Sequence, residues 1–284
     1  MEDKPEPVTG TAAGVPFTAL PPATPVAGPA PLVLTWHMMD APCTDAAFAA
    51  ALPMARVPAW RVHLGMPLCG ARMLDGGMGA VVKLSRRDTI MAYLDPVVRQ
   101  AVEEFPAALA ELRERLPTET GPIGLVGGSL GGAVALRVLA ESPIPVAAAA
   151  LVNPAVRARS VVGLVETVTG TPYPWTNTST KAADDLDFVA HAADIAVRRP
   201  QPPLLLVSGE QDFPALRTDA AELVDTLREH YAEPEHVKLS TVVGLSHPLA
   251  ERPGLVPAPQ IPTAIVVDRA VTAWFVQHLC GGAR

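Results

Sequence analysis

Short apolar runs alternate with longer amphipathic stretches along most of the chain. Leu32-Val33-Leu34-Thr35-Trp36, Ile123–Gly127, Val146–Val152 and Leu204–Ser208 have the length and apolarity of strands buried on both faces. Ala59–Leu64, stopped by Pro67, and Leu239–Val243 are weaker strand candidates. Val15–Leu20 is the only room left for a strand ahead of Pro21, Pro22, Pro25, Pro29 and Pro31. Between these runs the apolar period lengthens. Val98, Val102, Phe105, Leu109, Leu112 and Leu116 step by threes and fours and build one apolar helix face, with Pro106 predicted to bend or break the helix. Further helices are predicted over Leu130–Glu141, Asp219–His230 and Thr263–Leu279.

Strands that alternate with helices predict an α/β domain, a mostly parallel sheet with helices on both faces. We place this domain at 15–284 and expect 1–14 to be a mobile amino-terminal segment. The rhythm breaks between Asn153 and Pro200, where Gly163, Gly170, Pro172, Pro174 and a Thr/Asn/Ser cluster precede a helical segment near 182–196. The stretch 155–199 is therefore predicted to be a small cap inserted over the site, within the same domain.

Composition narrows the function. Of 284 residues 49% are hydrophobic and 18% charged, which suits a packed core, and the net charge of −7 comes without any basic block. Nucleic acid and anionic membrane surfaces are not expected partners. The start, Met1-Glu2-Asp3-Lys4-Pro5, lacks the pattern of a secretory or transit peptide, and no apolar run has membrane-spanning length, so the expectation is a cytoplasmic protein. Cys43, Cys69 and Cys280 do not form a disulfide framework, and with His37 and His63 they lack metal-ligand spacing; no metal or other cofactor is expected.

The sharpest chemical signal is Gly127-Gly128-Ser129-Leu130-Gly131-Gly132, a G-x-S-x-G pattern with a strand before it and a helix after it. Such a turn holds the serine in a strained conformation and tolerates only very small neighbours two residues to either side. A dinucleotide fingerprint is disfavoured because Val126 stands where its first Gly belongs, and a P-loop because Gly-Lys-Ser/Thr is missing. Ser129 is the predicted nucleophile.

A serine hydroxyl needs a base, and the base needs an orienting group. After an elbow of this kind the chain order is acid, then His. His247, in the loop Gly244-Leu245-Ser246-His247-Pro248 after the last predicted strand, is the candidate base; His191, His230, His236 and His278 are the others. Asp212, in Gly209-Glu210-Gln211-Asp212, is the candidate acid, with Glu210 as its nearest rival. Two amides would stabilise an oxyanion. The first is that of Leu130; the second comes from the loop after Trp36, with Met39 preferred to Met38. Tyr173 and Trp175 in the cap are candidate substrate-binding residues.

These motifs together resemble the α/β-hydrolase family, in its esterase and prolyl-oligopeptidase-like branches, from about Leu32 to the end. The resemblance implies a serine hydrolase that forms an acyl-enzyme on Ser129. His37-Met38 replaces the usual His-Gly after the third strand, the amino-terminal portion is short for the usual opening hairpin, and a Ser nucleophile argues against dienelactone-hydrolase and dehalogenase chemistry. The leading expectation is a carboxylesterase acting on a small, fairly apolar acyl substrate, as a monomer or homo-oligomer. A peptidase or amidase with the same triad, and a hydrolase-fold binding protein without turnover, are the alternatives.

Overall fold

The computed structural model describes residues 6–23 and 28–279. Its strands are β1 (Val8–Ala12), β2 (Val15–Leu20), β3 (Leu32–Trp36), β4 (Trp60–Leu64), β5 (Ile123–Gly128), β6 (Val146–Val152), β7 (Leu204–Gly209) and β8 (Val237–Val242). They form one sheet in the order β1-β2-β4-β3-β5-β6-β7-β8. The pairs β1·β2 and β2·β4 are antiparallel, and the others are parallel. This is the α/β-hydrolase fold.

Both faces of the sheet are covered, and strand alternation divides the core between them. Leu32, Leu34, Leu125, Leu151 and Leu206 point to one face; Val33, Val126, Ala150, Val152 and Val207 point to the other. On the first face lie α3 (Asp95–Arg115), α4 (Leu130–Glu141) and α8 (Pro214–His230), with Trp36 and Phe105 meeting edge-on at 5.3 Å between ring centroids. On the second lie α1 (Asp45–Ala51) and α9 (Pro262–His278), which contribute Phe48, Val267, Val271, Trp274 and Phe275. A further helix, α2 (Gly77–Arg87), leads through a single π-helical turn over Ile90–Leu94 into α3.

Two expectations are corrected. Of the segment 1–14 predicted to be mobile, residues 8–12 form β1, so the opening hairpin is present. Its two-residue turn, Ala13-Gly14, has positive φ at both positions (47° and 82°), the geometry that suits the twist of a tight hairpin. The strand escapes a search for apolar runs because it lies at the sheet edge, with Val8, Thr9, Gly10 and Thr11 all exposed. Second, of the bend or break expected at Pro106, the break does not occur: α3 runs on through it. Pro106 is exposed, so the carbonyl it frees one turn earlier lies toward solvent.

Between β6 and β7 the chain runs through α5 (Ala158–Thr169), α6 (Asn177–Asp184) and α7 (Ala192–Ala196). The Arg157 guanidinium ties the start of this stretch to Asp187 and, on α8, to Asp219 and Glu222. Among the described residues no helix is long and apolar enough to cross a membrane.

Candidate active site

The predicted nucleophile sits where β5 turns into α4. Ser129 has φ 48° and ψ −117°, a conformation that costs free energy in an L-residue and is held here by its surroundings. Its amide donates to the Val152 carbonyl at 3.0 Å, and its carbonyl accepts from the Gly132 and Ala155 amides, each at 2.9 Å. The flanking glycines are steric necessities. A Cβ on Gly127 would lie 2.3 Å from the Gly131 carbonyl oxygen, and one on Gly131 would lie 2.3 Å from that of Trp36.

The loops after β5, β7 and β8 bring Ser129, Asp212 and His247 together. The His247 Nε2 lies 2.8 Å from the Ser129 Oγ, and its Nδ1 lies 2.8 Å from the Asp212 Oδ1. Asp212 is 4% exposed and His247 9%, so water competes little for either bond. The Asp212 Oδ1 also accepts from the Phe213 amide at 2.7 Å. Glu210, the rival acid, is exposed and instead accepts from the Gly244 amide at 3.0 Å. His230, His236 and His278 lie on or beside helices, and His191 pairs with Asp194.

The loop after β3 is fixed by a buried imidazole. The His37 Nδ1 lies 2.6 Å from the Met38 carbonyl and donates to it, while Nε2 accepts from the Met66 amide at 3.0 Å. Those bonds need the neutral ring. Burial, partly opposed by the Met38 carbonyl, pushes the His37 pKa down to about 4. Beside it His63, bonded to Thr35 Oγ1 at 2.8 Å, is driven to about 3 by burial and then by Arg61 and His37. In the unfolded chain both would titrate near 6.5. The unfolded state therefore binds more protons below that pH, and stability should fall as pH drops from about 6.5 toward 4 and then 3. Urea midpoints measured between pH 7.5 and 5 should fall on acidification, and less steeply in His63→Leu; an unchanged slope in the variant would refute the assignment.

Leu130 is the first residue of α4, so its amide has no partner within the helix. Among the described residues neither it nor the Met39 amide donates a hydrogen bond. Met39 and Leu130 line the cavity at Ser129, whereas Met38 is fully buried, its side chain packed beside Gly128. The cavity holds about 220 Å³ and is further lined by Asp40, Tyr93, Leu94, Ala155 and Val161. A larger recess of about 980 Å³, bordered by Pro31, Pro122, Pro145 and Pro200, opens at the other edge of the sheet, where β3, β5, β6 and β7 begin. Size does not make it the better candidate, because Ser129, Asp212 and His247 all follow the carboxyl ends of strands.

Tyr173 and Trp175 are not brought to this cavity. Their rings meet each other at 4.8 Å; the Tyr173 hydroxyl donates to Asp88, and Arg159 stacks over Trp175. Their contacts tie the inserted stretch together and to the turn after α2. Sequence reasoning missed Tyr93 and Asp40 at the cavity and Asn153 beneath it. Asn153 left one signal, a polar residue ending the buried run of β6 at the edge that carries the elbow. Asp40 pairs with Arg252; burial opposes its ionisation, but the guanidinium and the Ala41 amide hold its carboxyl below the usual range. Together with bonds from the Leu249 amide to the Ala41 carbonyl and from the Cys43 amide to the Gly254 carbonyl, both 2.9 Å, this pair joins the loop after β3 to the loop that follows His247.

A family model described as "Prolyl oligopeptidase family" matches residues 98–280. No curated protein matches the chain. Among solved structures, TT1662 from Thermus thermophilus is 20% identical with a TM-score of 0.67, over 98% of this chain and 99% of that one. An acylaminoacyl peptidase from Pyrococcus horikoshii is 12% identical (TM-score 0.64), and a puromycin-hydrolyzing peptidase from Mycobacterium tuberculosis is 17% identical (TM-score 0.65). The chain is covered to 96% in both comparisons but spans only 42% and 39% of those two proteins. At such identities the likeness carries the fold alone.

Proposed function

The chain belongs to the prolyl oligopeptidase family and is a serine hydrolase, and from that premise we propose that it cleaves the acyl bond of short peptides or amino-acyl amides through an acyl-enzyme on Ser129. The observation that carries the proposal is the unbroken relay from Asp212 through His247 to Ser129, two hydrogen bonds of 2.8 Å in a nearly dry setting. In this mechanism His247 takes the Ser129 proton as the oxygen attacks the carbonyl carbon. The amides of Leu130 and Met39 receive the oxyanion. As the tetrahedral intermediate collapses, the imidazolium returns its proton to the departing amine. Water, deprotonated by His247, then attacks the acyl-enzyme, and the acid leaves with the Ser129 proton restored. Asp212 holds the proton on the far ring nitrogen throughout.

The segment 155–199 acts in this proposal as a cap, with Ala155 and Val161 forming part of the cavity wall. The domain it covers then runs from the opening hairpin to α9. A second reading, the carboxylesterase, is favoured by the cavity itself. Leu94, Leu130, Ala155 and Val161 make its lining mainly apolar, which suits a plain acyl chain.

Turnover of amino-acyl p-nitroanilides alongside short p-nitrophenyl esters separates the two. The proposal expects measurable anilide cleavage by the wild type. Turnover restricted to esters would make the chain an esterase, and absence of fluorophosphonate labelling would remove the enzyme reading.

A further inference from the structure

The triad residues come from three separate loops, and one short segment touches the backbone of all three. That segment is Val152-Asn153-Pro154-Ala155, at the end of β6. The Val152 carbonyl accepts from the Ser129 amide, and the Ala155 amide donates to the Ser129 carbonyl. Between them Asn153 reaches the other two loops. Its Oδ1 accepts from the Gly209 amide at 2.7 Å, at the root of the loop that carries Asp212. Its Nδ2 donates to the Ser246 carbonyl at 2.9 Å and to that of His247 at 3.0 Å. Its own amide donates to the Val207 carbonyl at 2.8 Å.

We propose that Asn153 is a positioning residue for catalysis, the side chain that sets the acid and base loops in register with the nucleophile. The proposal rests on the assignment of Ser129, His247 and Asp212 as the reacting triad. Two physical demands meet at this position. Its φ of 44° lies in the left-handed region, which Asn tolerates better than most side chains. Its three bonds need an acceptor and two donors on one planar group, 1% exposed and so without water as a substitute. Asp keeps the shape and the acceptor but has no donors when ionised. Gly accepts the backbone conformation but removes every side-chain bond.

The loops it joins have little slack. A Cβ on Gly209 would lie 2.3 Å from the Leu245 carbonyl oxygen, so the two loops already touch backbone to backbone there. Asn153 adds the polar restraint that fixes how far one slides along the other. The Nδ1–Oδ1 contact of His247 and Asp212 depends on that offset. Misplacing reacting groups by about 1 Å can cost on the order of 100-fold in rate.

The test compares wild type, Asn153→Gly and Asn153→Asp at a temperature well below the melting transition of each. The readouts are kcat and KM on a p-nitrophenyl ester and the rate of fluorophosphonate labelling. The expected result is a roughly 100-fold drop in both kcat and labelling rate with little change in KM. A residue that served stability alone would lower the melting temperature and leave these rates intact. Should Asn153→Gly fail to fold, the isosteric Asp variant carries the test. A folded variant that labels within about twofold of wild type, against the roughly hundred-fold loss expected, overturns the proposal. Failure of the wild type itself to label would instead sink the triad assignment beneath it.

Discussion

Ser129→Ala is expected to lower turnover by roughly a million-fold while leaving the fold intact. The size follows from what the hydroxyl does. Without it no acyl-enzyme forms, and His247 can at best direct water across a distance set for a side-chain oxygen. Intact folding is expected for a separate reason. The turn at 129 is held by backbone bonds to Val152, Gly132 and Ala155 and by the absence of a Cβ at Gly127 and Gly131, none of which involves the Ser129 hydroxyl. The same φ of 48° is imposed on alanine as on serine. Fluorophosphonate labelling should vanish, and the melting temperature should stay close to that of the wild type. A folded Ser129→Ala protein with full turnover would mean that another residue carries the chemistry.

The elbow, the acid and the base were legible in the sequence because each is bound to local pattern. A buried strand run, a glycine pair with a serine between them and an apolar helix can be read within twenty residues. The loop after β7 then offers two acids, Glu210 and Asp212, and the loop after β8 a single histidine, His247. Asn153 was not legible in that way, since its partners lie 56, 93 and 94 residues away and none of them is a side chain. Tyr93 reaches the cavity from a π-helical turn, an irregularity that no hydrophobic period announces. Tyr173 and Trp175 looked like pocket residues because large aromatics in an insertion often are. Here Asp88 and Arg159 supply them with partners that only the folded chain brings near. The edge strand β1 shows the limit from the other side. Its residues face water, so the apolar signal on which strand prediction depends was missing, and only the Ala13-Gly14 turn was there to be read.

Asp212→Asn should cost on the order of 10,000-fold in turnover with binding nearly unchanged. The wild-type Oδ1 accepts two bonds, from His247 and from the Phe213 amide, while the buried Oδ2 has no hydrogen-bond partner among the described residues. An asparagine must place an NH2 on one side or the other. With the NH2 in the Oδ2 position, the His247 tautomer survives, but two donors are buried without acceptors and the imidazolium loses its counter-charge. With the NH2 in the Oδ1 position, it meets the Phe213 amide donor to donor and binds the His247 Nδ1 as an acceptor. The ring proton then moves to Nε2, where it faces Ser129 and cannot take a proton from it. Each arrangement removes something that the transition state needs and the bound substrate does not, so the loss should fall on kcat. Glu210→Gln supplies the control, because that carboxylate is exposed and, among the described residues, bonds only the Gly244 amide. It should keep turnover near the wild-type value. Equal losses in the two variants, or wild-type turnover in a folded Asp212→Asn protein, would take the orienting role away from Asp212.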